Sequence, residues 1–269
     1  MGMDSASPVS RDRSRLPFVS CVCPTYRRPE LLANSLACYL AQDYPEDRRE
    51  LLILDDAGQF VSQQGIGWEL CSIARRFTSL PAKFNALAAL ARGEIVVVWE
   101  DDDIYLPWHI TAHVEVLTND YRVSKPSCVR SHVYGALHEE AAAGRFHASV
   151  AFTQEALAAV QGWPLTSRGD FDLQLLGRLA TLGPVGDPVS IHPPSYVFRW
   201  ESTKAYHGQG FMRSADDEEW YVRAAAAGSR EEAGRLVPAF DEHTRWCFSE
   251  LSIDVPELSG SSAENAMSA

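Results

Sequence analysis

Residues 95–99 read Ile-Val-Val-Val-Trp and run without a break into four acids, Glu100, Asp101, Asp102 and Asp103. A strand covered on both faces reads as a continuous apolar run rather than an alternating one. The pattern is therefore a buried strand that presents carboxylates at its C-terminal edge. Two unit charges ~4 Å apart repel by about 4 kcal/mol at an effective dielectric of ~20. A fold that gathers several of them must raise their pKa values or supply a cation. A hard divalent cation with oxygen ligands meets that need, and such cations commonly bridge to substrate phosphates. The cluster points to a metal-assisted reaction on a phosphorylated substrate; a solvated acidic loop is the alternative for a charge run of this kind.

Strands and helices alternate along the first half of the chain, and no internal repeat is present. Residues 18–23 form a short apolar run ending at Pro24, with a turn through Arg28. Pro29 suits the first turn of a helix to Gln42, where Leu31, Leu32, Leu36 and Leu40 make a helical stripe. Residues 51–54 are a second strand closed by Asp55, Asp56 and Gly58, and 82–91 a helix ended by Gly93. After the acidic run, Pro107 opens a helix to about Leu117. Alternating strands and helices define an α/β domain with a mostly parallel central sheet flanked by helices. In such sheets ligands bind outside the carboxyl ends of the strands, where Pro24-Thr25, Asp55-Asp56 and the four acids all fall. The second half is less regular. Strands are expected at 127–134, 147–153 and within 189–200, and helices at 154–160, 171–182, 216–227 and 230–250.

With 269 residues and 46% hydrophobic content, the chain can bury a sizeable core. Its net charge of −12 argues against nucleic acid as a partner, since that role needs a basic face. The six cysteines form no C-x-x-C pair and follow no zinc spacing, which suits a reducing, cytoplasmic setting. Cys21 and Cys23 are expected on one face of the first strand as small apolar groups. The N-terminal stretch carries Asp4, Arg11, Asp12, Arg13 and Arg15 with no apolar core, unlike a secretory signal. No run approaches the ~18 apolar residues that span a membrane.

Four motifs, in this order, resemble the family 2 glycosyltransferases of the GT-A fold. Val19-Ser20-Cys21-Val22-Cys23-Pro24-Thr25-Tyr26-Arg27-Arg28 is similar to the family's opening strand and turn. Leu51-Leu52-Ile53-Leu54-Asp55-Asp56-Ala57-Gly58 is similar to its strand ending in two aspartates. Ala91-Arg92-Gly93-Glu94-Ile95, running into Glu100 to Asp103, is similar to its DxD region. Gly162-Trp163-Pro164, followed by Arg168-Gly169-Asp170-Phe171-Asp172-Leu173, is similar to its acidic acceptor-side helix. Three positions depart from the pattern: Glu100 replaces the first aspartate of the DxD, Gly169 precedes Asp170 where many relatives place an acid, and Tyr196 stands ahead of Arg199-Trp200 where processive relatives carry Gln.

The resemblance implies a metal-dependent, inverting transfer of sugar from a nucleotide-diphosphate donor, by default a UDP-sugar, to an acceptor hydroxyl. It implies Mn2+ or Mg2+ as cofactor, held by Asp102 and Asp103 with His207 returning as a third ligand. Donor contacts fall to Pro24, Thr25, Arg28, Asp55, Asp56, Lys83, Asn85, Glu100 and Asp101. Asp55 and Asp56 are equally suited to capping their own turn, and Asp170 to a plain helix N-cap. The family match favours Asp170 as the base that takes the acceptor proton, with Trp163, Asp172 and Trp200 on the acceptor side. His109 and His113, four apart on a helix, lack the glutamate of a metalloprotease pattern and read as structural. The expected layout is an arm at 1–16, a GT-A-like domain at 17–215 (donor half 17–103, acceptor half 104–215), C-terminal helices at 216–258 that could mediate assembly, and a polar tail at 259–269. The competing readings are a non-catalytic nucleotide-sugar binder and a sugar-phosphate nucleotidyltransferase, the latter lacking a Gly-rich phosphate loop.

Overall fold

The computed structural model describes residues 15–133, 135–166, 169–200 and 234–258. Twelve strands and six helices lie in these stretches. The strands are β1 (Val19–Thr25), β2 (Arg49–Asp55), β3 (Gln63–Gly65), β4 (Trp68–Ser72), β5 (Ile95–Val98), β6 (Ile104–Tyr105), β7 (Val123–Ser124), β8 (Cys128–Val133), β9 (Ala136–Ala141), β10 (Ala151–Thr153), β11 (Val185–Gly186) and β12 (Tyr196–Arg199). The helices are α1 (Pro29–Leu40), α2 (Leu80–Leu90), α3 (His109–Leu117), α4 (Gln154–Ala159), α5 (Phe171–Ala180) and α6 (Glu242–Glu250). Eight strands form the main sheet in the order β11-β7-β10-β5-β1-β2-β4-β3, and β6-β12-β8-β9 form a second, smaller one. The centre of the main sheet, β5-β1-β2-β4, is parallel, while β10 and β3 run antiparallel to their neighbours.

The period of two along each central strand sorts the core into two layers. Val19, Cys21 and Cys23 of β1, Leu51 and Ile53 of β2, and Ile95 and Val97 of β5 pack with Leu32 and Leu36 of α1, Ile110 and Val114 of α3, and Cys247 and Phe248 of α6. Val22, Leu52, Leu54, Val96 and Val98 face the other way, onto Phe84 and Leu87 of α2 and Leu175 and Leu179 of α5. The two cysteines of β1 thus share one face, as their spacing predicts. The predicted helix at 230–250 is shorter in the structure: α6 starts at Glu242. Pro238 lies in the preceding stretch, and Asp241 caps the helix by accepting from Thr244 N at 2.7 Å. The arm, the 216–227 helix and the tail predicted from sequence lie outside the described residues.

The strand that leads into the acids ends within one residue of the expected bound. β5 ends at Val98, and residues 100–103 form a bend that takes the chain from the main sheet into β6 of the second. The turn between the two sheets, not a strand, positions Glu100 and Asp102. Trp99 closes the strand, donating its backbone N–H to Val22 O at 3.1 Å and its indole N–H to Ser35 Oγ at 2.9 Å.

Candidate active site

Register brings the strand ends together. Thr25 pairs with Asp55 across β1 and β2, and Val22 with Val98 across β1 and β5. The turns that follow all open on one sheet edge. Asp101, Asp102 and Asp103 are buried there, at 4%, 2% and 2% exposure, with Glu100 half-buried. Oxygens of Glu100, Asp102 and Asp103 lie within 4.8 Å of one another, a spacing that suits one cation. The donor set is all carboxylate oxygen, which fits Mn2+ or Mg2+ rather than a softer metal. Glu100, which the resemblance gives to the nucleotide sugar, joins this group.

Each acid is held differently. Asp101 accepts from Thr25 Oγ1 at 2.7 Å, and Arg28 bridges Asp101 and Asp102 at 2.9 and 2.8 Å. Asp103 accepts from Tyr196 Oη at 2.5 Å and from Arg199 N at 3.3 Å. Burial raises the carboxyl of Asp101, with Arg28 pulling the other way. Burial, reinforced by the charges of Asp102 and Glu100, raises Asp103 well above the carboxylate range. The site strains against its own charge, as the consecutive acids foretold.

The Asp55-Asp56 pair, at the end of β2, is saturated by protein donors. Asp55 accepts from Ala57 N, Gln59 N and Ser72 Oγ at 2.9, 3.0 and 2.8 Å. Asp56 accepts from Arg76 at 3.0 Å, Phe77 N at 2.8 Å and Lys83 Nζ at 2.6 Å. Lys83, 3% exposed, also donates to the Thr25 carbonyl, and burial lowers its pKa. Pro24 and Thr25 are buried in the last turn of β1. Arg76 lies over the Tyr26 ring, 3.5 Å from its centroid.

Asn85 and Trp163, which the resemblance gives to the donor and the acceptor, are tied to each other. Asn85 Nδ2 donates to Trp163 O, and Trp163 N donates to Asn85 Oδ1, both at 2.8 Å. The Trp163 indole is 1% exposed and stacks on Phe84, with centroids 5.0 Å apart and planes at 11°. Its N–H donates to His147 Nε2 at 2.8 Å, and His147 Nδ1 sits 3.3 Å from Glu100 Oε1. Burial lowers the His147 pKa to about 4, with the charge of Asp172 opposing. Asp170 holds the N-cap position of α5 but makes no side-chain capping bond; its Oδ1 accepts from Gln174 Nε2 at 3.0 Å. Asp172 Oδ1 accepts from Leu173 N at 2.8 Å. Trp200 packs edge-on against Phe198 and donates to Glu140 at 3.3 Å. Its neighbour Arg199 anchors α6 through Asp241 at 2.6 Å and Thr244 at 3.3 Å. His207 and Arg168 lie outside the described residues. His109 and His113 are fully buried and bond Ser195 and Ser124 at 2.9 and 2.8 Å, a structural pair.

Two residues of this site were not singled out for it by the sequence. His147 is a lone histidine at the start of the strand expected at 147–153, with no motif around it. Tyr196 stood out only as a departure from the processive pattern, yet its hydroxyl meets Asp103.

This arrangement, acids at the ends of parallel strands facing a second smaller sheet, is the GT-A fold. Residues 20–136 match the family described as Glycosyl transferase family 2, a span that holds the first three of the four motifs and stops short of the fourth. Solved structures with the same fold include TarS 1–349 of S. aureus, 13% identical over 68% of this chain with a TM-score of 0.57. The same protein in complex with UDP-GlcNAc gives 14% identity over 80% of this chain and 68% of that one, with a TM-score of 0.58. The mannosyltransferase PcManGT of Pyrobaculum calidifontis, in complex with GDP-Man and Mn2+, is 20% identical over 81% of this chain and 67% of that one, with a TM-score of 0.54. The chain spans 61% of the TarS 1–349 structure. No match is found among curated proteins. No helix among the described residues is long and apolar enough to cross a membrane.

Proposed function

We propose that this protein is an inverting glycosyltransferase that moves a sugar from a nucleotide-diphosphate donor, a UDP-sugar, to an acceptor hydroxyl with the help of Mn2+ or Mg2+. The observation that carries the reading is the buried group of Glu100, Asp102 and Asp103 beside the ends of β1 and β5. Carboxylates held this close inside a protein call for a counter-ion. A divalent ion there would act as a Lewis acid on the leaving diphosphate. Asp102 and Asp103 would hold it, with Glu100 as a third oxygen donor and His207 as the ligand that the resemblance implies.

The chain's own residues do the rest. Thr25 and Arg28 fix Asp101 at the donor edge. Arg28, already on Asp101 and Asp102, supplies positive charge beside the diphosphate. Asp56 and Lys83 neutralise each other and hold the end of β1 in place through Thr25 O, shaping the base pocket rather than reading the base by charge. Asp170 takes the acceptor proton. The lack of a capping bond from its carboxylate favours that role over a plain N-cap. UDP rests on the resemblance and on the UDP-GlcNAc complex of one structural neighbour; the GDP-Man complex of another makes GDP the competitor.

The test is a thermal-shift panel of UDP and GDP with and without Mn2+. A ligand that binds only the folded state raises apparent stability by RT ln(1 + [L]/Kd), about 2.7 kcal/mol at 100 Kd. UDP with Mn2+ is expected to give the largest rise. No shift from either diphosphate, with or without the ion, rejects the proposal. Replacing Asp170 with Asn then separates enzyme from binder: donor binding persists while turnover is lost. Release of pyrophosphate instead of nucleoside diphosphate would select the nucleotidyltransferase reading.

A further inference from the structure

Glu100 stands apart within the acidic group. Asp101 to Asp103 are short side chains held inside the fold, whereas Glu100 is half-buried and one methylene longer. Its backbone is pinned at both ends: its N–H donates to Tyr105 Oη at 2.7 Å, and its carbonyl accepts from Ser35 Oγ at 3.1 Å. The side chain has an extra rotatable bond, and ordering it costs entropy unless a partner holds it.

That partner is His147, whose tautomer follows from its neighbours. Indole N–H only donates. Because Trp163 Nε1 donates to His147 Nε2 at 2.8 Å, Nε2 must keep its lone pair. The ring proton is therefore on Nδ1, the atom 3.3 Å from Glu100 Oε1. Trp163 is itself locked, by the two Asn85 bonds and the Phe84 stack. Phe84 and Phe171 meet the imidazole edge-on at 5.2 and 5.8 Å, fixing the ring plane. A rigid chain of contacts thus runs from Asn85 through Trp163 and His147 to a carboxylate of the acidic group.

We infer that His147 is a positioning residue, held by Trp163 as the Nδ1–H tautomer, and that it orients Glu100 toward a divalent cation shared with Asp102 and Asp103. The inference rests on the cation reading of the acidic group. Groups that hydrogen-bond metal ligands from behind typically tune affinity by 10- to 100-fold when removed. Glutamate in place of the first DxD aspartate then has a reason: its extra length spans the gap to a histidine that an aspartate would not reach.

The experiment measures Mn2+ affinity by titration calorimetry on the full chain without nucleotide, for wild type, His147→Gln and His147→Asn. The Asn amide nitrogen can stand near Nδ1 and keep a donor for Glu100. The Gln amide oxygen can stand near Nε2 and satisfy Trp163 while removing the Nδ1–H that His147 offers Glu100. The expected result is a roughly 10- to 100-fold loss in His147→Gln and a change within about threefold in His147→Asn. Equal loss in both, greater loss in His147→Asn, or wild-type affinity in both overturns the positioning role while leaving the cation site standing. A wild-type chain that takes up no Mn2+ overturns the cation reading and this inference with it. Nitrogen NMR of the wild-type ring is a second readout that needs no variant to fold. A protonated Nδ1 with a bare Nε2 is expected, and the reverse tautomer refutes the proposal.

Discussion

Two acidic turns lie on one edge of the main sheet, and they handle charge in opposite ways. At the end of β2, Asp55 and Asp56 receive three donors each, two of them the cations Arg76 and Lys83. Past the end of β5, Arg28 bridges Asp101 and Asp102, Asp102 also lies close to Glu100 and Asp103, and burial drives Asp101 and Asp103 upward. The first turn is complete as a piece of protein. The second gathers charge that the fold does not neutralise to the same degree. Adjacent aspartates after an apolar strand therefore signal either outcome, and what separates them is where the counter-charge comes from: the chain itself, or a bound ion.

The sharpest way to break this contrast is to neutralise one acid in each turn. Asp102→Asn is expected to fold as well as wild type, since it removes repulsion, and to lose Mn2+ binding. Its rate of donor-sugar hydrolysis, followed as nucleoside diphosphate release, should fall about 100- to 1,000-fold, the scale of losing one electrostatic stabiliser. Asp56→Asn should do the reverse. It strands Lys83, 3% exposed, with the Thr25 carbonyl as its remaining partner, and an uncompensated buried charge costs about 3–5 kcal/mol. Urea unfolding would register that loss, and adding Lys83→Met should restore much of it. If Asp56→Asn melts like wild type while Asp102→Asn unfolds, the roles assigned to the two turns are exchanged.

A smaller effect tests how far support for the second turn extends. Gly162 has φ +74, and a Cβ there would collide with Asn85 Oδ1. Gly162→Ala is expected to cost about 1–3 kcal/mol and to loosen Trp163, and through it His147. Stability lost with Mn2+ affinity unchanged would show that the Asn85–Trp163 clamp stops short of the acids.

How much of this was legible depends on how local the cause is. β1, β2 and β5 could be read because burial on both faces leaves continuous apolar runs, and the four acids because they are consecutive. The end of β5 was read to within one residue, but nothing in the sequence says that the chain then crosses to a second sheet. β4 was missed because Trp68-Glu69-Leu70-Cys71-Ser72 mixes polar groups into an outer strand of the sheet, and β9 because Ala-Leu-His-Glu-Glu-Ala favours a helix. The 230–250 helix was overextended because amphipathic spacing outweighed Pro238 and the capping Asp241. Asn85 and Trp163 carry motif positions that imply ligand contacts, while the structure joins them to each other across 78 residues. His147 depends wholly on such distant pairing, so no local pattern marks it.

Behind the acidic bend lies a second conflict between burial and charge, of opposite sign. His109 contacts Trp99 and Tyr105 edge-on at 5.8 and 4.9 Å, and His113 follows at 4.7 Å, both with no exposed surface. Burial lowers His109 well below the usual histidine value and takes His113 down to about 3. The unfolded chain binds a proton at His113 below about pH 6.5 and the folded chain only near 3, so the unfolded state gains protons first as pH falls. The contribution is fully present above about pH 6.5 and is lost toward 3, at up to about 1.4 kcal/mol per pH unit. The raised Asp101 and Asp103 act the other way, stabilising the fold as they gain protons before the unfolded chain does. Replacing His113 with Asn, which can keep the Ser124 bond, isolates the imidazole part. Urea unfolding at pH 7.5, 6.0 and 5.0 should give a shallower loss in the variant than in wild type, with the gap widening as pH falls. Parallel curves would mean that His113 takes up a proton as readily folded as unfolded, and that the core behind the acids admits charge.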